Sequence, residues 1–181
     1  MFEFHMYVGP MYSGKSSELL RQSSRYKAIG KKVLLVNHAK DTRTDNFVET
    51  HNHTRQEAIK TSSLMELVLK KIIDDYDVIV IDEAQFFNDL KTFILAIETT
   101  DTIVYVAGLD GDSDRKPFGQ VLECIPLCDS VIKLRALDMV TCDGITKGPF
   151  TKRIVDCSHL QIQIGAKEYY KAVSRENYLN T

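Results

Sequence analysis

The stretch Gly9-Pro10-Met11-Tyr12-Ser13-Gly14-Lys15-Ser16 has the form G-x-x-x-x-G-K-S, and its reading decides the fold. Small residues at Gly9 and Gly14 let successive backbone N–H groups turn inward on an anion, and the start of a following helix adds the positive end of its dipole. Lys15 brings a point charge to the β- and γ-phosphates of a nucleoside triphosphate, and the Ser16 hydroxyl is placed to meet a magnesium ion. The flanks agree. Phe4, Met6 and Val8 alternate as in a strand, and Ser16 to Ala28, with Leu19, Leu20 and Ser23 or Ser24 at helical spacing, reads as a helix. Gly9, Pro10, Met11, Tyr12, Ser13, Gly14, Lys15, Ser16 and Ser17 are therefore expected to bind ATP, with Ser16 also serving Mg2+.

Further along, the apolar run Val78 to Ile81 reads as a strand that delivers Asp82 and Glu83 at its end. Neighbouring residues at a strand end point in different directions, so one acid can serve the metal while the other faces the γ-phosphate and an incoming nucleophile. Asp82 is assigned to magnesium and Glu83 to the proton of the attacking hydroxyl.

Strand-like and helix-like stretches alternate outward from these motifs. Val33 to Val36 reads as a strand, Leu64 to Ile73 as one long helix, Leu90 to Glu98 as a helix, and Ile103 to Ala107 and Val131 to Leu134 as strands. This alternation implies an α/β chain: a P-loop, RecA-like, mainly parallel sheet flanked by helices. Near Ala136 the pattern changes. Thr141 to Pro149 is polar and glycine-rich and Leu160 to Ile164 alternates like a strand, so residues 1–135 are read as the nucleotide-binding domain and 136–181 as a small C-terminal module.

At 181 residues and 44% hydrophobic the chain can bury one good core, and a net charge of -2 gives no reason to expect nucleic-acid binding. No apolar segment approaches a membrane span, and the N-terminus reads without a basic, apolar export signal. Cys124, Cys128, Cys142 and Cys157 form no C-x-x-C pair, so free thiols in a reducing, cytoplasmic setting are expected. Three activities share the motifs so far: a kinase, a recombinase-like ATPase and a noncatalytic nucleotide-binding regulator. The ATPase would call for a basic, nucleic-acid-facing surface, and the slight excess of acids argues against it.

Six collinear strings narrow the choice. G-P-M-Y-S-G-K-S-S-E-L at Gly9 to Leu19, A-K-D-T-R at Ala39 to Arg43, I-D-E-A-Q-F-F at Ile81 to Phe87, G-L-D-G with R-K-P-F-G between Gly108 and Gly119, T-K-R at Thr151 to Arg153 and I-G-A-K-E-Y-Y at Ile164 to Tyr170 run nearly end to end. Together they resemble the P-loop thymidine kinases of the tetrameric class found in cells, bacteria and large DNA viruses. The resemblance implies transfer of the ATP γ-phosphate to the 5′ hydroxyl of thymidine, for DNA precursor supply. It also implies a homotetramer and feedback inhibition by dTTP, with no nucleic-acid or membrane partner.

The resemblance also implies residue roles. Asp41 and Arg43 match a pair beside the phosphates and metal, Asp82 the magnesium-linked acid and Glu83 the base. Gln85 and Phe86 fall where the chain turns at the sugar and base. Met11, Leu109, Phe118 and Tyr170 match apolar or aromatic positions around the nucleoside, and Thr151 one close to the pyrimidine ring. Main-chain groups of Gln161, Ile162, Gln163, Ile164 and Gly165, in a loop called the lasso, would read the base. Thymine donates from N3 and accepts at O4 and cytosine reverses both, so fixed backbone partners would reject cytosine.

Two departures stand out. Ser113 occupies a nucleoside-side position where similar enzymes carry an aromatic residue. The two C-x-x-C pairs that hold a zinc ion at the base of the lasso in similar enzymes read here as Asp138, Thr141, Ser174 and Asn177. Hard oxygen groups are poor zinc ligands, so no structural zinc is expected.

Overall fold

The computed structural model describes residues 1–40, 47–49, 55–154 and 169–180. In chain order the elements are strand β1 (Glu3–Val8), helix α1 (Lys15–Ala28), β2 (Val33–His38), β3 (Phe47–Glu49), β4 (Arg55–Glu57), β5 (Ile59–Thr61), α2 (Met65–Leu69), β6 (Val78–Ile81), α3 (Leu90–Ile97), β7 (Ile103–Gly108) and β8 (Ser130–Lys133). They are followed by β9 (Ala136–Leu137), β10 (Lys147–Gly148), β11 (Phe150–Arg153), β12 (Tyr170–Val173) and α4 (Arg175–Leu179).

Six strands form one sheet in the order β5-β2-β6-β7-β1-β8, and every neighbouring pair is parallel. Parallel strands joined by crossovers need cover on both faces, and the side-chain alternation supplies it. Phe4, Met6, Ile79, Ile81, Val104 and Val106 face one side, against Leu67 of α2 and Leu90, Phe93, Ile94 and Ile97 of α3. Tyr7, Leu35, Val80, Tyr105 and Ala107 face the other, against Leu19 and Leu20 of α1. Each of those two leucines, buried against the sheet, contributes on the order of 1.5–3 kcal/mol.

The strand expected at Val78 to Ile81 forms with those bounds, because four consecutive aliphatic residues are all buried between helices. The long helix expected over Leu64 to Ile73 does not. Lys71 takes a left-handed backbone, φ 55°, which ends α2 and starts a separate 3-10 turn over Ile72–Asp75. The expected strand at Leu160 to Ile164 lies outside the described residues.

All six parallel strands point their carboxyl ends to one edge of the sheet. In folds of this kind ligands bind there, since the loops leaving those ends carry the polar groups. Beyond that edge, β9 pairs with β10 and β11 with β12, both antiparallel, and α4 packs on β11 and β12. Lys152 Nζ donates to the carbonyls of Asn177 and Tyr178 at 3.0 and 3.1 Å, so a cation closes the C-terminal end of α4.

Candidate active site

The loop after β1 turns through positive φ at Gly9 (142°), Tyr12 (62°) and Gly14 (86°). A Cβ at Gly9 would collide with the Leu134 carbonyl, so the close passage of this loop against the chain after β8 requires glycine. Ser13 Oγ and Lys15 Nζ both donate to the Pro10 carbonyl, at 2.8 and 2.7 Å, which folds the loop around its own centre. Helix α1 begins at Lys15 with Gly14 as its N-cap and no side-chain cap. Its first N–H groups thus keep the anion-seeking geometry expected of this motif. Ser16 is half-buried and Ser17 exposed at the same helix start.

Asp82 and Glu83 leave β6 on the same edge. Asp82 is 4% exposed, and its Oδ1 accepts the Glu83 N–H at 2.9 Å. Glu83 is held at φ 52°, ψ 39°, a left-handed conformation that costs a non-glycine residue about 1–2 kcal/mol. That backbone carries Glu83 from β6 into a 3-10 turn over Ala84–Phe86. Gln85, 3% exposed, holds it there: Nε2 donates to Glu83 Oε2 at 2.6 Å, while Oε1 accepts the Leu109 N–H at 3.0 Å. Both ends of the Gln85 amide are engaged by protein, so this residue links the acid after β6 to the loop after β7.

Aromatic rings line the next part of the edge. Phe86 meets Phe118 edge-on at 5.7 Å and 89°, and His38 lies behind it at 5.7 Å from Phe86 and 4.6 Å from Phe87. Thr151, 5% exposed, accepts the Met11 N–H at 3.0 Å and so ties β11 to the phosphate loop. Tyr170 is buried on β12 with the Arg153 guanidinium 5.8 Å from its ring centre. The Ser113 carbonyl accepts from Tyr178 Oη at 2.7 Å, docking the loop after β7 on α4. A pocket of about 220 Å³ opens between these parts, with Pro10, Asp112, Arg115, Lys133, Phe150 and Thr151 in its wall.

The structure thus gathers the loop Gly9 to Ser17, Asp82, Glu83, Gln85, Phe86, Leu109 and Thr151 on one edge. Asp41, Arg43 and Gln161 to Gly165 lie outside the described residues, as does Cys157. Cys124, Cys128 and Cys142 are free, and burial pushes the Cys124 thiol up to about 11.

At the base of the C-terminal module the four positions Asp138, Thr141, Ser174 and Asn177 are joined by hydrogen bonds. Asp138 Oδ1 accepts the N–H groups of Val140 (2.7 Å) and Thr141 (2.9 Å), and Oδ2 accepts the Ser174 N–H (2.6 Å) and Asn177 Nδ2 (2.9 Å). Asn177 Nδ2 also reaches Thr141 Oγ1 at 2.8 Å. Burial opposes the charge on Asp138, yet the bonds from Thr141, Ser174 and Asn177 hold its carboxyl well below the usual range. Sequence reasoning named these four positions but not the bonds among them. It missed His38, Tyr178 and the Gln85 bridge; His38 sits directly before the A-K-D-T-R string, which was the one available pointer.

The comparisons with known proteins point one way. A model of the thymidine kinase family matches residues 2–178. The thymidine kinase of Myxoma virus (strain Uriarra) is 38% identical over 176 residues, covering 97% of this chain and 96% of that protein. The thymidine kinase of Sheeppox virus (strain KS-1) is 39% identical, covering 96% and 95%, and that of Yaba monkey tumor virus (strain VR587) 40%, covering 96% and 93%. A solved DNA replication initiation factor aligns at a TM-score of 0.45 and 11% identity over 76% of this chain and 41% of that one, too slight a likeness to carry a conclusion. At 38–40% identity over almost the whole length of these viral enzymes, and with the family model spanning residues 2–178, the chain belongs to the thymidine kinase family.

Proposed function

We propose that Glu83 is the base in a transfer of the ATP γ-phosphoryl group to the 5′ hydroxyl of thymidine. The observation that carries this reading is the placement of Glu83: it follows Asp82 at the carboxyl end of β6, held by a left-handed backbone and the 2.6 Å bond from Gln85. The phosphate loop after β1 sits on the same carboxyl edge. Family membership disfavours the recombinase-like ATPase and the noncatalytic regulator.

In this mechanism the N–H groups of residues 11–16 surround the β-phosphate and Lys15 leaves the Pro10 carbonyl to meet the transferring group. Charge spread over the phosphoryl oxygens is then met by fixed donors, and positioning supplies most of the rate. The hydroxyl of Ser16 and the carboxylate of Asp82 would hold Mg2+; both are hard oxygen donors. When bound, that ion neutralises charge on the β- and γ-phosphates. Glu83 takes the proton of the 5′ hydroxyl as the oxygen attacks, with Gln85 steering its second oxygen.

Met11, Phe86, Leu109, Ser113, Phe118, Thr151 and Tyr170 form the nucleoside wall in this reading, with Asp41 and Arg43 at the phosphates and Gln161 to Gly165 over the base. Residues 136–181 act as the lasso domain on a 1–135 core, tied without zinc by Asp138. Thymidine and ATP are the substrates, dTTP the feedback inhibitor, the homotetramer the working form and the cytoplasm its setting. Glu83→Gln keeps the shape and removes the proton acceptor, so thymidine-dependent ADP formation should drop on the order of a hundredfold with ATP binding retained. Near-normal turnover would reassign the base.

A further inference from the structure

Behind the aromatic wall sits an ionisable ring that the proposed mechanism does not use. His38 ends β2 and is 3% exposed. Its ring packs at 4.6 Å edge-on against Phe87 and at 5.7 Å against Phe86, which in turn meets Phe118. The Lys40 N–H points at its Nδ1 at 2.9 Å. A backbone N–H can only donate, so Nδ1 must carry a lone pair: the imidazole is neutral, with its proton on Nε2. The bond is an i to i+2 side-chain turn, the geometry in which a short polar side chain sets the direction of the chain after it.

We propose that His38 is a pH-sensitive positioning residue, whose unprotonated Nδ1 fixes the Lys40 turn and whose ring braces Phe86 behind the catalytic edge. The inference rests on the assignment of Glu83 and Phe86 to the thymidine kinase site. A proton on Nδ1 sets two N–H groups against each other where one bond stood, and the charge must then sit on a ring that is only 3% exposed. The turn opens, and the row His38, Phe86, Phe118 loses its back support.

The charges around the ring come from three segments. Burial, and behind it the Lys40 ammonium on the same strand end, hold the imidazole below its ordinary 6.5, while Asp89 at the start of α3 and Glu83 after β6 pull the other way. Because the folded value is depressed, the neutral ring's contribution is complete above about pH 6.5 and is lost as pH falls through the lower folded value.

Two readouts test the inference, one of them independent of turnover. In histidine and amide NMR of the full chain, the Lys40 amide resonance should move with the same midpoint as the His38 ring, below pH 6.5. In His38→Asn, whose Oδ1 can accept the same N–H and cannot be protonated, that Lys40 transition should vanish. The parent should lose at least fivefold in kcat/KM for thymidine between pH 7.5 and a pH one unit below the His38 midpoint. His38→Asn should keep its own pH 7.5 value within about twofold over that range, and His38→Phe, which has no acceptor, should be low at both ends. A Lys40 amide that ignores the His38 titration overturns the turn, whatever the turnover. A shared acid limb in parent and His38→Asn overturns the positioning role. No thymidine-dependent turnover in the parent would instead refute the functional assignment, and the NMR result would still decide the turn.

Discussion

Replacing Asp138 by Ala removes the acceptor for four donors at once. Val140 and Thr141 supply two from the turn after β9, and Ser174 and Asn177 supply two from the start of α4. Hydrogen bonds to a charged acceptor contribute about 1.5–3 kcal/mol each, but the four are not additive, because Asn177 can fall back on Thr141 and opened N–H groups can reach water. Breaking a buried charged network costs roughly 3–5 kcal/mol in measured cases, and that range is the expected loss here. For a chain of this size it corresponds to a fall in Tm of roughly 6–20 °C. The chain has no tryptophan, so far-ultraviolet circular dichroism and hydrogen exchange are the suitable probes. Exchange should quicken first in β9, β12 and α4, with the six-stranded sheet still protected. Asp138→Asn, which keeps one acceptor but turns an amino group toward the donors, should fall in between. The same carboxylate makes the module acid-sensitive: its folded value lies below the ordinary 3.8, so its contribution is complete above that pH and is lost as pH falls further. A Tm within about 1 °C of the parent for Asp138→Ala would refute the idea that this residue ties the module.

Purified protein should contain no stoichiometric zinc by elemental analysis, and activity after chelation should return in full on adding magnesium alone; one tightly held zinc lost together with folding would contradict this. Gly119→Ala should destabilise by about 1–3 kcal/mol in thermal unfolding and lower kcat. Gly119 sits at φ 58° and an added Cβ would collide with the Gln85 carbonyl, displacing the residue that steers Glu83. Competition kinetics should show thymidine and deoxyuridine as substrates and deoxycytidine as a poor one; equal specificity constants would mean that the base is read by other means.

The sheet was legible wherever a strand is buried on both faces, since only apolar residues can fill such a position: Val78–Ile81 was read with its structural bounds. The loop from Gly9 to Ser16 was legible because its chemistry needs fixed residue types at fixed spacing. The short strands β3, β4 and β5 were not, as three residues carry too little periodicity to separate from a loop. Nor was the break at Lys71, because lysine is an ordinary helix former and its left-handed backbone follows from tertiary packing. Of the candidate site, the acids and the loop stand out in the sequence, whereas the Gln85 bridge joins residues 24 apart and the Asp138 bonds span up to 39. Long-range polar contacts of that kind leave no local pattern to read.

The tie at Asp138 also changes what happens when the chain comes apart. A tie made by an ion forms only as often as the ion is met, and its thiolates can be lost to oxidation before that happens. One made from a carboxylate, an amide and backbone N–H groups carries every part within the polypeptide. Its closure is a first-order event whose rate does not depend on what the surrounding fluid supplies, so the tie can re-form after unfolding without an ion.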